Sequence, residues 1–390
     1  MKIVFVESFR KKEWNGYTAR YTEGVSGTHT NIIYLAEGLA TLGHDITVVE
    51  LKSEIFEPKW INGVYYECFE TLSDNQIYDI IVFTFCLEDT VFLSKVKLYS
   101  KVIFIMGCPK LAPTLKYTDV NFMELFRNND RAVSFGFVSE NSKINAFNFR
   151  YGLQNFRHHL LYNCIDVRDF TDINGELYTY EKKENNFVFF ACIERGLNIV
   201  KEIAKRTETP FRIVSSNYDK KEYDKDDKYE TLFITPECNS KQSIMEWNRK
   251  SKYFIYPLID TTTNRIHYDT FGYVVLESLL CGVIVIAPRM KIFEELYGDA
   301  ICYVDTSNIG ISQEDLTFGT WYEKSTNMIW LKNNANFGFP LIERYVEMVN
   351  RLENNEEMRK TYIQRGFALK NKFSNDKIAN SFINFMEYNM

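Results

Sequence analysis

The sequence has no run of about eighteen apolar residues, so it offers nothing that would span a bilayer as a helix. It shows no leader pattern either: Met1-Lys-Ile-Val-Phe-Val-Glu7 reads as a short strand stopped by charge. Both absences point to a cytoplasmic protein, at most peripheral to a membrane. Positive charge is in deficit, with 46 Lys and Arg against 52 Asp and Glu, a net charge of -6 and a pI of about 5.6. That argues against a general polyanion binder, and nucleic acid is not expected as a partner. The eight cysteines (Cys68, Cys86, Cys108, Cys164, Cys192, Cys238, Cys281 and Cys302) include no Cys-x-x-Cys pair. Without zinc-ligand spacing or a disulfide framework they read as buried, reduced thiols. After the first strand, Glu7-Ser-Phe-Arg-Lys-Lys lacks the Gly-x-Gly-x-x-Gly fingerprint, which argues against a nicotinamide dehydrogenase.

What is present suits an α/β protein. A length of 390 residues fits two domains of roughly 150 residues each, and 31 Phe and 25 Tyr in a 45% hydrophobic chain supply their cores. Short apolar runs alternate with helical patterns, the arrangement of parallel sheets covered on both faces. In the first half, Lys2–Glu7, Asp45–Glu50, Ile80–Phe85, Val102–Ile105 and Arg131–Val138 are predicted strands. Thr30–Leu42 is a predicted helix, with Ile32, Ile33, Leu35, Ala36 and Leu39 at helical spacing and Gly43 at its end. In the second half, strands are predicted at Phe187–Cys192, Phe211–Ser215, Leu232–Thr235, Tyr253–Tyr256, Val283–Ala287 and Ile301–Val304. Helices are predicted at Leu197–Arg206, Lys241–Lys250, Gly272–Leu280 and near Phe293–Tyr297, with a helical tail at Leu341–Leu352 and Asn375–Met386. The expected organisation is a Rossmann-like domain over 1–170, a polar linker over 171–186, a second Rossmann-like domain over 187–370 and a closing helix over about 371–390.

The most informative stretch runs from Arg265 to Pro288. Asp269 precedes a Phe271-Gly272 turn, Glu277 follows on an apolar helix, and Gly282 leads into a buried-strand run ending in Ala287-Pro288. A turn feeding a helix N-terminus favours a phosphate, through backbone N–H groups and the helix dipole. A carboxylate in an apolar helix is costly unless something pairs with it, and a ribose diol would be such a partner for Glu277. Each residue also has a plainer reading. Asp269 would serve equally as a helix N-cap, Arg195 as a solvated cation, and Gly24 and Gly27 as ordinary turn glycines. His29, His158, His159 and His267 read as packing or loop residues beside an acid/base role. Arg10-Lys-Lys-Glu-Trp14 reads as a solvated loop or as a contact with membrane headgroups.

The Asp269–Glu277 segment resembles the E-x7-E segment of GT-B glycosyltransferases, especially the retaining family-4 group, with Asp269 where the first glutamate usually stands. Four further segments match that pattern. Gly24-Val-Ser-Gly27-Thr28-His29-Thr30, followed by a helix and Gly43-His44-Asp-Ile-Thr-Val-Val, resembles the N-lobe glycine loop and its following strand. Phe137-Val-Ser139-Glu140 and Asn163-Cys-Ile-Asp166 resemble the strand-plus-serine step and the Asn-Gly-x-Asp turn. Ala191-Cys-Ile-Glu194-Arg195-Gly196-Leu197 resembles the basic-Gly turn after the first C-lobe strand. Of the family's arginine and lysine near that turn only Arg195 is present, and Met106-Gly107-Cys-Pro109-Lys110 stands where an N-lobe histidine is common.

The resemblance implies two Rossmann-like doubly wound domains facing a cleft, the first for the acceptor and the second for a nucleotide-sugar donor. It implies a hexosyl- or related glycosyltransferase that works with retention of configuration and without a cofactor or essential metal. Catalytic roles fall to Arg195, Asp269 and Glu277: Arg195 holds the departing diphosphate, Asp269 orients the donor sugar and Glu277 binds the ribose. Donor binding falls to Gly27, Thr28, Phe271, Gly272 and Glu277. The acceptor is expected to be a glycan, with a lipid-linked sugar or a protein as alternatives, and peripheral membrane contact is left open. Two other readings share the fold: a catalytically degenerate nucleotide-sugar-binding or partner protein, and a nucleotide-sugar epimerase.

Overall fold

The computed structural model describes residues 1–8, 12–84, 87–106, 133–149, 153–170, 183–191, 193–214, 230–234, 240–260, 265–267, 269–306, 328–330 and 338–387. The chain divides into two compact units. Met1–Ala19, Val25–Val167 and Asn371–Met390 form the first, and Arg20–Gly24 with Arg168–Lys370 the second. Sequence pattern places Arg20–Gly24 in the first domain; here they group with the second, where Arg20 Nε bonds both carboxylate oxygens of Asp169 at 3.2 and 3.1 Å. The described α-helices are α1 Gly16–Tyr21, α2 Gly27–Thr41, α3 Glu140–Phe149, α4 Leu197–Thr207, α5 Lys241–Lys250, α6 Tyr273–Leu280, α7 Lys291–Tyr297, α8 Gly338–Glu353, α9 Glu356–Ala368, α10 Lys370–Phe373 and α11 Asn375–Glu387.

The first unit is built on strands β1 Lys2–Glu7, β2 Asp45–Glu50, β3 Lys59–Ile61, β4 Val64–Cys68, β5 Gln76–Phe83, β6 Val96–Met106, β7 Val133–Phe137 and β8 Arg157–Leu160. Their order is β3-β4-β2-β1-β5-β6-β7-β8, and every neighbouring pair is parallel except β3–β4. The near-continuous apolar runs of β1 and β6 explain this: a strand buried on both faces has no polar side to show water. Ile3, Val4, Phe5 and Val6 are all wholly buried. Phe104 stacks on Phe83 and Phe135, with ring centres 5.2 and 5.6 Å apart. The C-terminal α11 packs on α2 within this unit, anchored where Asn375 N donates to Ile165 O at 2.7 Å and Ile165 N to Phe373 O at 2.9 Å.

The second unit restarts the same logic with β9 Glu184–Phe190, β10 Phe211–Val214, β11 Glu230–Ile234, β12 Ser251–Ile255, β15 Ile284–Pro288 and β16 Cys302–Val304. All neighbours are parallel, in the order β11-β10-β9-β12-β15-β16. A small antiparallel sheet of β13 Ile259–Asp260, β14 Arg265–His267 and β17 Met328–Trp330 lies beyond β12 in the chain. In both large sheets the strand order reverses once, between β1 and β5 and between β9 and β12. Each is therefore doubly wound.

Two sequence expectations change, and one holds for the described residues. The linker over 171–186 ends early, because β9 begins at Glu184 and Lys183 is already buried; 171–182 lie outside the described residues. Trp14 does not face a headgroup. It is fully buried, edge-on to His29 at 4.6 Å and to Tyr66 at 6.1 Å, while Arg10 and Lys11 lie outside the described residues. Of the cysteines, Cys68, Cys164, Cys281 and Cys302 are buried and free, and the other four lie outside the described residues. No described helix is long and apolar enough to cross a membrane.

Candidate functional site

In a doubly wound sheet the crevice beyond the carboxyl ends of the strands, at the point where strand order reverses, is where ligands bind. In the second unit that point lies between β9 and β12. The chain leaving β9 makes a 3-10 turn at Ile193–Arg195 and enters α4 through Gly196, whose φ is 107°. A Cβ at Gly196 would sit 2.8 Å from Pro257 Cβ and 2.9 Å from Ile259 O, so glycine alone allows this close approach. The turns after β9 and β12 are stitched together by a hydrogen bond from Leu258 N to Arg195 O at 2.9 Å. Leu258 is wholly buried at φ 58°, an uncommon conformation for a bulky residue and one that clusters near functional sites. Its carbonyl accepts from His267 N at 2.7 Å.

This framework aims Arg195 at Asp269. Arg195 Nη1 donates to Asp269 Oδ2 at 2.8 Å and to Tyr256 Oη, and Tyr256 Oη donates to the same Oδ2 at 2.6 Å. Burial pushes the Tyr256 phenol well above its usual range; Arg195 opposes the shift and Asp269 adds to it. The phenol therefore stays a donor at neutral pH. The side chains of Arg195 and Asp269 are 24% and 15% exposed, enough for a ligand to reach them.

Phe271 and Gly272 form the entry to α6. Tyr297 in α7 fixes this turn by donating to Phe271 O at 2.5 Å and Gly272 O at 3.1 Å. Gly272, at φ 75°, is the N-cap, and no side chain caps the helix. Asp269 is thus not the cap that one sequence reading allowed: its carboxylate is turned to Arg195 and Tyr256 instead. Val275 N and Leu276 N donate to Gly272 O at 2.9 and 3.3 Å, and the positive end of the helix dipole at such a turn makes a bound anion a fitting partner here.

Glu277 lies one turn inside α6 and is 0% exposed. Its Oε1 accepts a hydrogen bond from Lys241 Nζ, and its Oε2 has no hydrogen-bond partner among the described residues. Lys241 is the first residue of α5, behind the N-cap Ser240, whose Oγ accepts from Ser243 N at 3.2 Å. Helices α5 and α6 are joined by Ser278 Oγ donating to Asn248 Oδ1 at 2.9 Å. Their C-terminal ends share one cation: Lys183 Nζ donates to Asn248 O, Arg249 O and Cys281 O at 3.2, 3.1 and 2.8 Å.

Each acid of the Asp269–Glu277 pair thus carries a cation of its own. Arg195 was legible in the sequence; Lys241, Tyr256, Tyr297 and Leu258 were not singled out. Tyr256 had a signal, a polar tip ending the apolar run Tyr253-Phe-Ile before Pro257. Lys241 had none, being 36 positions from its partner.

Gly27 and Thr28 belong to the first unit, in the opening turn of α2. The N-cap there is Ser26, whose Oγ lies 2.6 Å from His29 Nδ1. His29 Nε2 is 3.3 Å from Glu7 Oε2 at the end of β1. That ring is clamped between a carboxylate, a hydroxyl and Trp14. Among the described residues, no group of three or more His, Cys, Asp or Glu is arranged to hold a metal.

No protein-family model matches this chain, and no curated protein matches it in sequence. Solved structures do. A sucrose-phosphate synthase from Thermosynechococcus elongatus is similar with a TM-score of 0.60 at 11% identity, over 99% of this chain and 98% of the other. The T4 phage β-glucosyltransferase with its UDP-glucose substrate is similar with a TM-score of 0.53 at 14% identity, over 99% and 100%. AviGT4, a glycosyltransferase involved in avilamycin A biosynthesis, is similar with a TM-score of 0.52 at 9% identity, over 100% and 98%. Likeness at such identities speaks for the fold: this chain has the GT-B fold of these glycosyltransferases over nearly its whole length.

Proposed function

We propose that this protein is a glycosyltransferase of family-4 character. It moves a sugar from a nucleotide-diphosphate donor to a hydroxyl of a glycan, with retention of configuration and without an essential metal. The observation that carries this reading is Glu277. A wholly buried carboxylate with one oxygen left over is costly unless a hydrogen-bond donor completes it, and it stands one turn from an uncapped helix N-terminus suited to phosphate. A nucleoside diphosphate offers both groups in that order, phosphate at the helix start and ribose hydroxyls deeper.

In this reading the diphosphate lies at the first turn of α6, beside Phe271 and Gly272. Arg195 makes a charge-assisted contact with the leaving group as the glycosidic bond breaks, the stage at which negative charge grows. Asp269, held by Arg195 and Tyr256, presents its carboxylate to the sugar. Gly27 and Thr28, at the start of α2 in the first unit, are the further donor-binding residues that the family resemblance implies. T4 phage β-glucosyltransferase has UDP-glucose as its substrate and has also been solved with UDP and Mn2+. A UDP-sugar is therefore the first donor to try, with manganese and magnesium as separate arms.

The test is incubation with UDP-, GDP- and ADP-sugars and a panel of glycan, lipid-linked and protein acceptors, following transferred sugar and its anomeric configuration. Transfer that persists in chelator and keeps the donor's configuration supports the reading in full. Transfer with inversion removes the family-4 character, and a metal requirement removes the metal-free mechanism. Donor released only as an epimer, or bound and never turned over, replaces the transferase with one of the other two readings of the fold.

A further inference from the structure

Lys241 is unused in the reading above, yet its position is expensive. The residue is 7% exposed, and its ammonium bonds Glu277 Oε1 and lies 5.6 Å from the centre of the Tyr273 ring at the start of α6. Two charges taken out of water are compensated only when geometry is good and the remaining lone pairs and protons find partners. A pair built only to fasten α5 to α6 would therefore be closed on itself, and the Ser278–Asn248 bond already fastens them. This pair is open on one side: Glu277 Oε2 is buried without a hydrogen-bond partner among the described residues. An ammonium has three N–H donors and no acceptor, whereas a carboxylate only accepts. The pair therefore presents an acceptor and a donor next to each other.

We infer that Lys241 is a specificity-determining residue of the donor site. With Glu277 it takes the vicinal diol of a ribonucleoside diphosphate: one hydroxyl donates to Glu277 Oε2, and the neighbouring hydroxyl oxygen accepts from Lys241 Nζ. This inference rests on the donor-site reading. Charge supports a diol over an anion, since the pair is neutral as a whole and a phosphate on the ribose would stand beside the Glu277 carboxylate. Spacing supports it too. Four residues separate Tyr273 from Glu277, about 6 Å along the axis, so phosphates at the helix start and a sugar at Glu277 can belong to one nucleotide. Lys241 also offsets the carboxylate charge that would otherwise oppose a diphosphate one turn away.

The test is calorimetric titration of the full chain with UDP, GDP and ADP and with the 2′-deoxy and 3′-deoxy form of each. The wild type is compared with Lys241→Met, Lys241→Arg and the paired variant Lys241→Met/Glu277→Gln, each checked for folding by circular dichroism. The wild type should bind its preferred ribonucleotide about tenfold or more tighter than either deoxy form, the worth of one charged hydrogen bond. Lys241→Met should erase the preference at one of the two positions and Lys241→Arg should restore it. The paired variant, which buries no unmatched charge, should show neither preference, and it keeps the test alive where the single variant does not fold. Wild-type ratios near one, or ratios unchanged in folded Lys241→Met or in the paired variant, overturn the inference and leave the donor site standing. Failure of all three ribonucleotides to bind the wild type overturns the donor site itself, and the inference with it.

Discussion

The side chains of the Arg195–Asp269 ion pair are 24% and 15% exposed, whereas those of the Lys241–Glu277 pair are only 8% and 1% exposed. That difference sets what each residue should do when replaced. Arg195→Ala removes a partly solvated cation and leaves Asp269 with the Tyr256 hydroxyl as a donor. Stability should fall by about 1 kcal/mol, while turnover should fall by about a hundredfold or more if the guanidinium stabilises the leaving group. Denaturant midpoints and initial rates on the same preparations separate the two effects; equal turnover would take Arg195 out of the mechanism. Glu277→Ala is different in kind, because it strands the buried Lys241 ammonium. It should cost about 3–5 kcal/mol by chemical denaturation. Glu277→Gln, which keeps an amide oxygen for Lys241, should cost clearly less; similar losses for both would mean that the carboxylate charge, not a mere acceptor, holds the Lys241 ammonium. At this scale the site was half legible. Glu277 stands out in any apolar helix, and Arg195 stands beside a glycine after a strand. Lys241 carries no mark in sequence, since its role depends on how α5 packs against α6.

Among the elements, α5 and α6 depend on a residue that belongs to neither. Lys183 closes three carbonyls at their C-terminal ends, where a cation also complements the helix dipoles. Lys183→Met should cost about 2–3 kcal/mol near neutral pH, because buried carbonyls are left without donors. Burial pulls the Lys183 ammonium from its ordinary 10.5 down to about 8, and the sign of the pH effect follows. Below about pH 8 the folded and unfolded chains are both protonated, so this group adds no pH dependence. Between about 8 and 10.5 the unfolded chain binds a proton that the folded one has shed, and stability rises with pH. The stability difference between wild type and Lys183→Met should therefore widen across that window in urea titrations; a flat difference would show that the three carbonyls hold the proton after all.

Legibility at the element scale followed length and periodicity. The α2 spacing of Ile32, Ile33, Leu35, Ala36 and Leu39 gave its helix, which starts three residues earlier than predicted because Ser26 caps it. The β3–β4 hairpin was not among the predicted elements: its turn dipeptide Asn62-Gly63 accepts the positive φ of a tight turn, but strands this short show little alternation. The β13–β14–β17 sheet, of strands two or three residues long, leaves no pattern to read. Leu258 looks like any apolar residue until its left-handed backbone is seen.

At the scale of the whole molecule, two doubly wound units each place chemistry-bearing residues where strand order reverses. Glu7 and the start of α2 lie there in the first unit, and Arg195 and Tyr256 in the second. The sequence announced this architecture through alternating strands and helices. It did not announce that Arg20–Gly24 group with the second unit, because a contact such as Arg20 to Asp169 spans 149 positions. The central claim is that the second unit carries a nucleotide-diphosphate site completed by Glu277. The most direct measurement is thermal unfolding of wild type and Glu277→Gln with UDP, GDP and ADP, with and without magnesium or manganese. One nucleotide at about 100 times its dissociation constant should stabilise the wild type by about 2.7 kcal/mol without metal, and Glu277→Gln should lose most of that gain. No shift with any nucleotide, or an equal shift in both proteins, would contradict the account.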